Sequence, residues 1–255
     1  MRLLLELKSL KDCVYDLKYY SNFQGFVYNL VKGTFYGSLH EREGYKYFCF
    51  SNLFQVKNSR VEQGVVYKWL VSSPNHNFIH VVKQKLLGLV GGKVNLGEYS
   101  FVLEGFKVLQ PRIRDGDVLI TGTPILLRIP KKDFGKYNIG SEAHYVYWNP
   151  VKEDDFRAFI KGLEDNLFKK YEQFYGVKTS REPLFESFRF LKSTCNHLVI
   201  NGRETRVFGS LWEFPLSGLS VEQRKVLNFG LDTGFGERNT YGFGFTNIKE
   251  VNQID

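Results

Sequence analysis

The first half of the chain alternates short apolar segments, typical of strands, with residues spaced as on one face of a helix. Arg2–Leu7 predicts a strand. Further strands are predicted at Tyr45–Phe50 and Val65–Val71, followed by a helix capped by Asn75 and a strand at Tyr99–Leu109. The helix that follows the first strand is predicted from apolar residues at helical intervals: Phe23, Phe26, Val27, Leu30 and Val31.

The second half repeats this order of elements. A strand at Ile125–Ile129 precedes a long helix, whose apolar face is formed by residues between 156 and 167. Asn201-Gly202 predicts the tight turn of a β-hairpin, and Ser220 opens a capping-box pattern for another helix. A last strand is predicted around Phe243–Ile248.

Each half therefore has the order β-α-β-β-α-β, which is typical of ferredoxin-like domains. We expect an α+β protein made of two tandem ferredoxin-like (RRM-type) domains. The small and turn-forming residues Thr121-Gly122-Thr123-Pro124 interrupt two apolar runs and favour a boundary there. The expected domains are residues 1–122 and residues 123–255.

Charge and composition narrow the class of protein. The 255 residues carry a formal net charge of +8, which favours a polyanionic partner such as nucleic acid. The apolar runs are shorter than the roughly 18 residues of a membrane-spanning helix, and charged side chains near Met1 argue against a signal peptide. We therefore expect a cytoplasmic protein with no membrane partner. The three cysteines lack CxxC spacing, which argues against a disulfide framework or a zinc ribbon.

The sequence predicts no metal site and no cofactor. His76 and His80 are four residues apart and would share a helix face, but the glutamate of the HExxH zinc motif is missing. The interpretation of this pair as ordinary surface residues is therefore favoured.

The most informative motif lies near the C-terminus, where two Gly-Phe-Gly triplets enclose a five-residue spacer. Glycine permits positive φ and lets backbone amides approach a phosphate, and an arginine in the spacer adds a fork of donors. The phenylalanines, Phe235 and Phe243, either anchor the segment in the core or stack on bases. An ordinary glycine-rich hairpin is the alternative. The candidate RNA-binding residues are Gly234, Gly236, Arg238, Asn239, Gly242 and Gly244.

The doubled glycine motif is similar to that of the RAMP superfamily of CRISPR-associated proteins. More closely, the chain resembles the Cas6 family of endoribonucleases, which cut CRISPR repeat transcripts into guide RNAs. The likeness continues at the N-terminal end, in residues 24–29, in Leu39-His40-Glu41, and from Lys46 through residues 48–51. It therefore touches both ends, spans essentially the whole chain and implies the same tandem ferredoxin-like fold.

The resemblance implies a metal-independent catalytic set of Tyr28, His40 and Lys46, with products that carry a 2′,3′-cyclic phosphate and a 5′-hydroxyl. Histidine titrates near neutrality, so His40 would act as general acid or base. Tyr28 would support it and Lys46 would stabilise the charge on the phosphorane. Tyr28 also lies roughly 130° from the centre of the apolar helix face, which argues against an ordinary core position. Each residue also has an ordinary structural interpretation. Tyr28 would be an amphipathic tyrosine at the rim of a domain, His40 an exposed histidine on a loop, and Lys46 a solvated lysine at the edge of a sheet.

The expected partner is CRISPR repeat RNA, while binding to a CRISPR effector complex and homodimer formation are left open. Two other functions remain in competition with the nuclease. One is a non-catalytic RAMP subunit that holds guide RNA, and the other is a small-molecule enzyme that binds a nucleotide at the glycine-rich segment.

Overall fold

The strand predicted at Arg2–Leu7 extends over Arg2–Ser9 and is the central strand of a five-stranded antiparallel sheet in the computed structural model. The structure describes residues 1–16, 19–137, 139–148, 156–200 and 203–249, which fall into two units. The first unit consists of Met1–Gln110, His197–Thr205 and Asn239–Gly242, and the second of Pro111–Asn196, Arg206–Arg238 and Phe243–Asp255.

The first unit has the ferredoxin-like strand order with one strand added at an edge. Its elements are β1 (Arg2–Ser9), β2 (Cys13–Val14), α1 (Tyr19–Val31), β3 (Cys49–Phe50), β4 (Arg60–Val61), β5 (Val66–Ser72), α2 (His76–Leu87), β6 (Lys93–Leu96) and β7 (Tyr99–Leu109). The sheet order is β3-β5-β1-β7-β6. Without the edge strand β6, this is the antiparallel order that a split βαβ arrangement produces.

Helix α1 buries the predicted apolar stripe. Phe23 is fully buried, and its ring meets that of Trp69 on β5 edge-on, with centroids 4.8 Å apart. The predicted cap of α2 is also present, because Asn75 Oδ1 accepts a hydrogen bond from the Phe78 N–H at 3.1 Å. Local periodicity and capping therefore account for both helices of the first unit.

The second unit repeats the arrangement. Its elements are β8 (Val118–Thr121), β9 (Arg128–Pro130), β10 (Tyr145–Tyr147), α3 (Phe156–Tyr175), β11 (Arg189–Ile200), β12 (Arg203–Pro215), α4 (Val221–Thr233) and β13 (Thr246–Ile248). Residues 197–200 of β11 and 203–205 of β12 are assigned to the first unit. The sheet order is β11-β12-β8-β13, while β9 and β10 form a separate pair. The predicted capping box of α4 is confirmed at Ser220. The predicted turn at Asn201-Gly202 lies outside the described residues.

Two predicted strands are shorter than expected. The segment Tyr45–Phe50 forms a strand only at β3, because Tyr47 has a φ of 53° and interrupts the extended backbone. Likewise, Phe243–Ile248 is extended only at β13, since Gly244 has a φ of 71°. Both interruptions come from backbone conformations that apolar patterning does not reveal.

The prediction of Ile125–Ile129 as the opening strand of the second half is wrong. That role belongs to β8, which pairs with both β12 and β13. The second unit begins at Pro111, which comes before Gly122 in the chain. Ile125 instead forms an isolated bridge with Ser210, and the chain then enters β9. Both apolar runs contain buried residues, among them Leu119 and Ile125, but only the earlier run lies in the four-stranded sheet. Among the described residues, no helix has the length and apolar character needed to cross a membrane.

Candidate active site and glycine-rich segment

Helix α1 and the turn that follows it bring Tyr28 and His40 together. His40 is the last residue of a short 3₁₀ helix, Gly37–His40, and its side chain is exposed. The two rings are nearly perpendicular, at 87°, with centroids 4.9 Å apart. The ring of Tyr28 also meets that of the buried Phe48 edge-on, with centroids 5.6 Å apart. Tyr28 is thus held between the core and an exposed imidazole.

The spacer of the glycine-rich segment adds Thr240 to this pair. The Gln24 amide Nε2 donates to Thr240 Oγ1 at 3.3 Å, and Thr240 is also hydrogen-bonded to the Tyr28 hydroxyl. Burial raises the pKa of Tyr28 to about 12, and the Thr240 hydrogen bond opposes part of that rise. Tyr28 therefore stays protonated at neutral pH. The Thr240 contact was missed by sequence reasoning, which treated the two ends of the chain separately.

Lys46 lies in the loop before β3 and is half-buried. The adjoining backbone is fixed, because the Ser73 hydroxyl donates to the Tyr47 carbonyl at 2.6 Å. Among the described residues, no hydrogen bond or ion pair joins Lys46 to Tyr28 or His40. The structure brings two of the three predicted catalytic residues into contact, and the role of the lysine stays a prediction.

The histidine pair of α2 lies at the surface. His76 and His80 are both exposed on this helix. Within the described ranges, no group of three or more His, Cys, Asp or Glu side chains is placed to hold a metal ion.

Backbone conformation and close packing explain why the glycine-rich segment contains glycines. Positive φ angles of 85°, 67°, 83° and 71° occur at Gly234, Gly236, Gly242 and Gly244. A Cβ atom at Gly236 would collide with the Leu126 carbonyl oxygen, and one at Gly242 would collide with the Phe50 ring. No residue other than glycine satisfies both demands at these two positions.

The two phenylalanines of the motif anchor it in the core. Phe235 and Phe243 are each 0% exposed, so neither ring is available to stack on a base. Of the two roles considered for these side chains, the structure supports the structural one.

Most amide groups at the glycines already have backbone acceptors. The N–H groups of Gly234, Gly242 and Gly244 donate to Gly230, Asn239 and Pro124 respectively, each at 2.8 Å. Phosphate binding by these three amides would therefore require the loop to rearrange. The Arg238 side chain is half-buried, and its Nε donates to the Tyr147 hydroxyl at 3.3 Å.

A buried lysine braces the second-unit part of the segment. Lys170 on α3 is 1% exposed, and its Nζ donates to the carbonyl oxygens of Gly234 at 2.6 Å and of Gly236 at 3.1 Å. Sequence reasoning missed this residue, although a signal was present. Lys170 is three residues after Leu167 and seven after Leu163, which places a charge within the apolar stripe of the helix.

Comparison with known proteins shows to which family the chain belongs. Residues 108–248 match the family model described as "CRISPR associated protein Cas6, C-terminal". The chain belongs to the Cas6 family. It is 33% identical to "CRISPR-associated endoribonuclease Cas6 2" of Methanocaldococcus jannaschii, over 97% of this chain and 99% of that protein. It is 28% identical to "CRISPR-associated endoribonuclease Cas6" of Haloferax mediterranei, over 98% of this chain and 94% of that protein.

Solved structures agree with this assignment. A structure described as "CRISPR associated protein Cas6" superimposes with a TM-score of 0.71 at 26% identity, covering 98% of this chain and 99% of that one. The resemblance to the Cas6 family and the tandem ferredoxin-like fold expected from the sequence are both confirmed.

Proposed function

We propose that the chain is a metal-independent endoribonuclease that cleaves CRISPR repeat transcripts into guide RNA units. Its relatives in Methanocaldococcus jannaschii and Haloferax mediterranei are named CRISPR-associated endoribonucleases. The observation that carries the proposal is the contact between Tyr28 and His40, with ring centroids 4.9 Å apart. This contact sets an exposed imidazole beside a phenol that keeps its proton.

The proposed reaction uses the 2′-hydroxyl of the RNA as nucleophile. Its oxygen attacks the adjacent phosphorus and the bond to the 5′-oxygen breaks, which leaves a 2′,3′-cyclic phosphate and a 5′-hydroxyl. His40 acts as the general acid or base, because an imidazole can take the 2′-hydroxyl proton or protonate the leaving oxygen near neutral pH. The ammonium group of Lys46 stabilises the negative charge that develops on the phosphorane.

Tyr28 acts as a hydrogen-bond donor in this scheme rather than as the base. Its pKa of about 12 keeps the Tyr28 phenol neutral near neutral pH. Thr240 Oγ1 accepts from Gln24 and therefore has its own proton to give to the Tyr28 oxygen. The proton of Tyr28 is then directed to the ribose or to a phosphate oxygen.

The glycine-rich segment contributes RNA binding in the proposal. Arg238 and Asn239 contact the backbone of the RNA, with the guanidinium of Arg238 pairing with a phosphate. Gly234, Gly236, Gly242 and Gly244 support this role through the backbone conformation and close packing that hold the spacer in place.

Product analysis tests the proposed function. The protein is incubated with EDTA and the repeat RNA of its own genome, and the ends of the fragments are identified. We expect cleavage to persist and the fragments to carry a cyclic phosphate and a 5′-hydroxyl. Loss of cleavage in EDTA, restored by a divalent cation, would contradict the mechanism. Tight binding without any cleavage would instead support the alternative of an RNA-holding RAMP subunit.

A further inference from the structure

Phe35 presents its ring to solvent although its backbone is held in place. The residue is 78% exposed, the largest value among the exposed large hydrophobic residues that the structure describes. On either side, the Thr34 N–H donates to the Val31 carbonyl at 3.2 Å, and the Gly37 N–H donates to the Thr34 carbonyl at 2.9 Å. Phe35 is thus displayed on an ordered loop after α1.

The next residue anchors this loop to the core of the first unit. Tyr36 is buried, and its hydroxyl is hydrogen-bonded to Asn75 Oδ1 at 3.2 Å. Its ring meets that of Phe78 at a centroid distance of 5.4 Å, and the ring of Phe35 at the same distance. The exposed ring of Phe35 therefore rests on a rigid neighbour.

Arg42 adds a positive charge beside the exposed ring. Its guanidinium carbon lies 5.5 Å from the centroid of Phe35, within the range of a cation–π contact. Phe35 precedes the 3₁₀ helix Gly37–His40 and Arg42 follows it. The contact between Phe35 and Arg42 therefore joins the two ends of the short segment that carries His40. An aromatic ring, a guanidinium and the candidate acid–base group therefore share one short loop.

We propose that Phe35 and Arg42 form a stacking subsite for one unpaired nucleobase, next to the phosphate on which His40 acts. This inference rests on the proposed endoribonuclease function. Every base has a π face that stacks on an aromatic ring, and a neighbouring guanidinium pairs with the attached phosphate. A single ring matches one base, whereas a stable protein interface needs roughly 1,000 Å² or more.

Fluorescence of 2-aminopurine tests the subsite. Repeat RNAs that each carry this base at one position are bound to a His40→Ala background, and the cleaved bond is mapped separately with wild-type protein. We expect quenching at a nucleotide beside the cleaved bond, which Phe35→Ala abolishes and Phe35→Trp retains. The same Ala variant should weaken affinity by about tenfold, within the usual contribution of base stacking.

Matched variants separate stacking from unfolding. Val14 is 62% exposed in the same unit, so Val14→Ala is the control for loss of exposed apolar surface. We expect Val14→Ala and Phe35→Ala to leave the melting temperature unchanged, since both side chains are at the surface.

Arg42→Gln should reduce the salt dependence of log K by about one phosphate contact, and Arg42→Lys should restore it.

Two outcomes overturn the subsite. One is the absence of any position at which quenching depends on Phe35, and the other is such a position away from the cleaved bond. If wild-type protein cuts nothing, the proposed function fails, while the fluorescence still decides whether Phe35 binds a base.

Discussion

The two groups of residues predicted to act on RNA lie in opposite surroundings. His40 is exposed and Tyr28 is half-buried. Gly236 and Gly242 are buried, and an added Cβ would collide with the Leu126 carbonyl or the Phe50 ring. A substitution at His40 therefore removes a chemical group, whereas one at either glycine alters the fold. The difference teaches that residues grouped together by one family resemblance can have two distinct physical roles.

The largest expected effect is on the chemical step. His40→Ala should slow single-turnover cleavage by about 10²–10⁴-fold, the usual contribution of a positioned acid or base. RNA affinity and the melting temperature should change little, because the imidazole is exposed and acts in the transition state. Single-turnover rates, binding isotherms and thermal melts measure the three quantities.

His80 offers a matched control for this variant, since it is also exposed but lies on α2. His80→Ala should leave the cleavage rate unchanged. Equal rates for His40→Ala and wild type would place the active site elsewhere and would remove the case for Tyr28 and Lys46 as well.

The glycines should show the reverse pattern, with stability lost first. Gly236→Ala and Gly242→Ala each combine a positive φ with a steric collision, and each should lower the free energy of unfolding by about 2–5 kcal/mol. Gly218 has a φ of 61° but open space around its Cβ direction, so Gly218→Ala should cost only about 1–2 kcal/mol. Denaturant unfolding measures all three variants.

The contrast between His40 and the two glycines would not hold if Gly236→Ala and Gly242→Ala unfolded like wild type but bound RNA poorly. In that case the glycines would be needed for close approach of the phosphate, as the sequence alone allowed, and not for packing.

Lys170→Met tests the brace behind the segment. The carbonyl oxygens of Gly234 and Gly236 would each lose a donor in a buried setting, which should cost about 1–3 kcal/mol of unfolding free energy. Lys169 is exposed on the same helix, so Lys169→Met should stay within about 0.5 kcal/mol of wild type. A wild-type stability for Lys170→Met would mean that these two hydrogen bonds contribute no net stabilisation.

Local features of the fold could be predicted because they depend on neighbours in sequence. The apolar stripe of α1, the Asn75 cap and the position of Tyr28 off the stripe all follow from helical periodicity and capping. The positive φ of Tyr47 could not be predicted, since nothing in the residue type favours it. Because of this one residue, most of the strand expected at Tyr45–Phe50 is absent.

The candidate site was only partly predictable for the same reason. Tyr28 and His40 were paired by family resemblance, and no local pattern shows that their rings meet. The bond from Thr240 to Tyr28 joins distant parts of the sequence and depends on the tertiary fold of the first unit. Lys170 left a visible sign as a charge in an apolar stripe, but the carbonyls it binds could not be inferred from α3 alone.

A smaller effect is expected at Tyr28. Tyr28→Phe removes one hydrogen bond in the transition state and should slow cleavage by up to about tenfold. Burial raises the pKa of Tyr28 to about 12, so the phenol is protonated throughout pH 6 to 9 and the rate ratio should be constant there. Tyr175→Phe, in the second unit, is the control and should leave the rate unchanged. A ratio that changes with pH across this range would show that Tyr28 titrates and acts as the base.

The smallest effect is expected at Arg238, where the side chain and the backbone shape of the glycine-rich segment can be separated. Arg238→Ala removes one guanidinium, so the slope of log K against log salt should become shallower by about one phosphate contact. The hydrogen bond from Nε to the Tyr147 hydroxyl is also lost, at a cost of about 0.5–1.5 kcal/mol, and the protein should stay folded. Arg238→Lys keeps the charge and should restore most of the slope. An unchanged slope in Arg238→Ala, measured by titration over a salt series, would exclude the arginine from the phosphate contacts and leave the segment with a purely structural role.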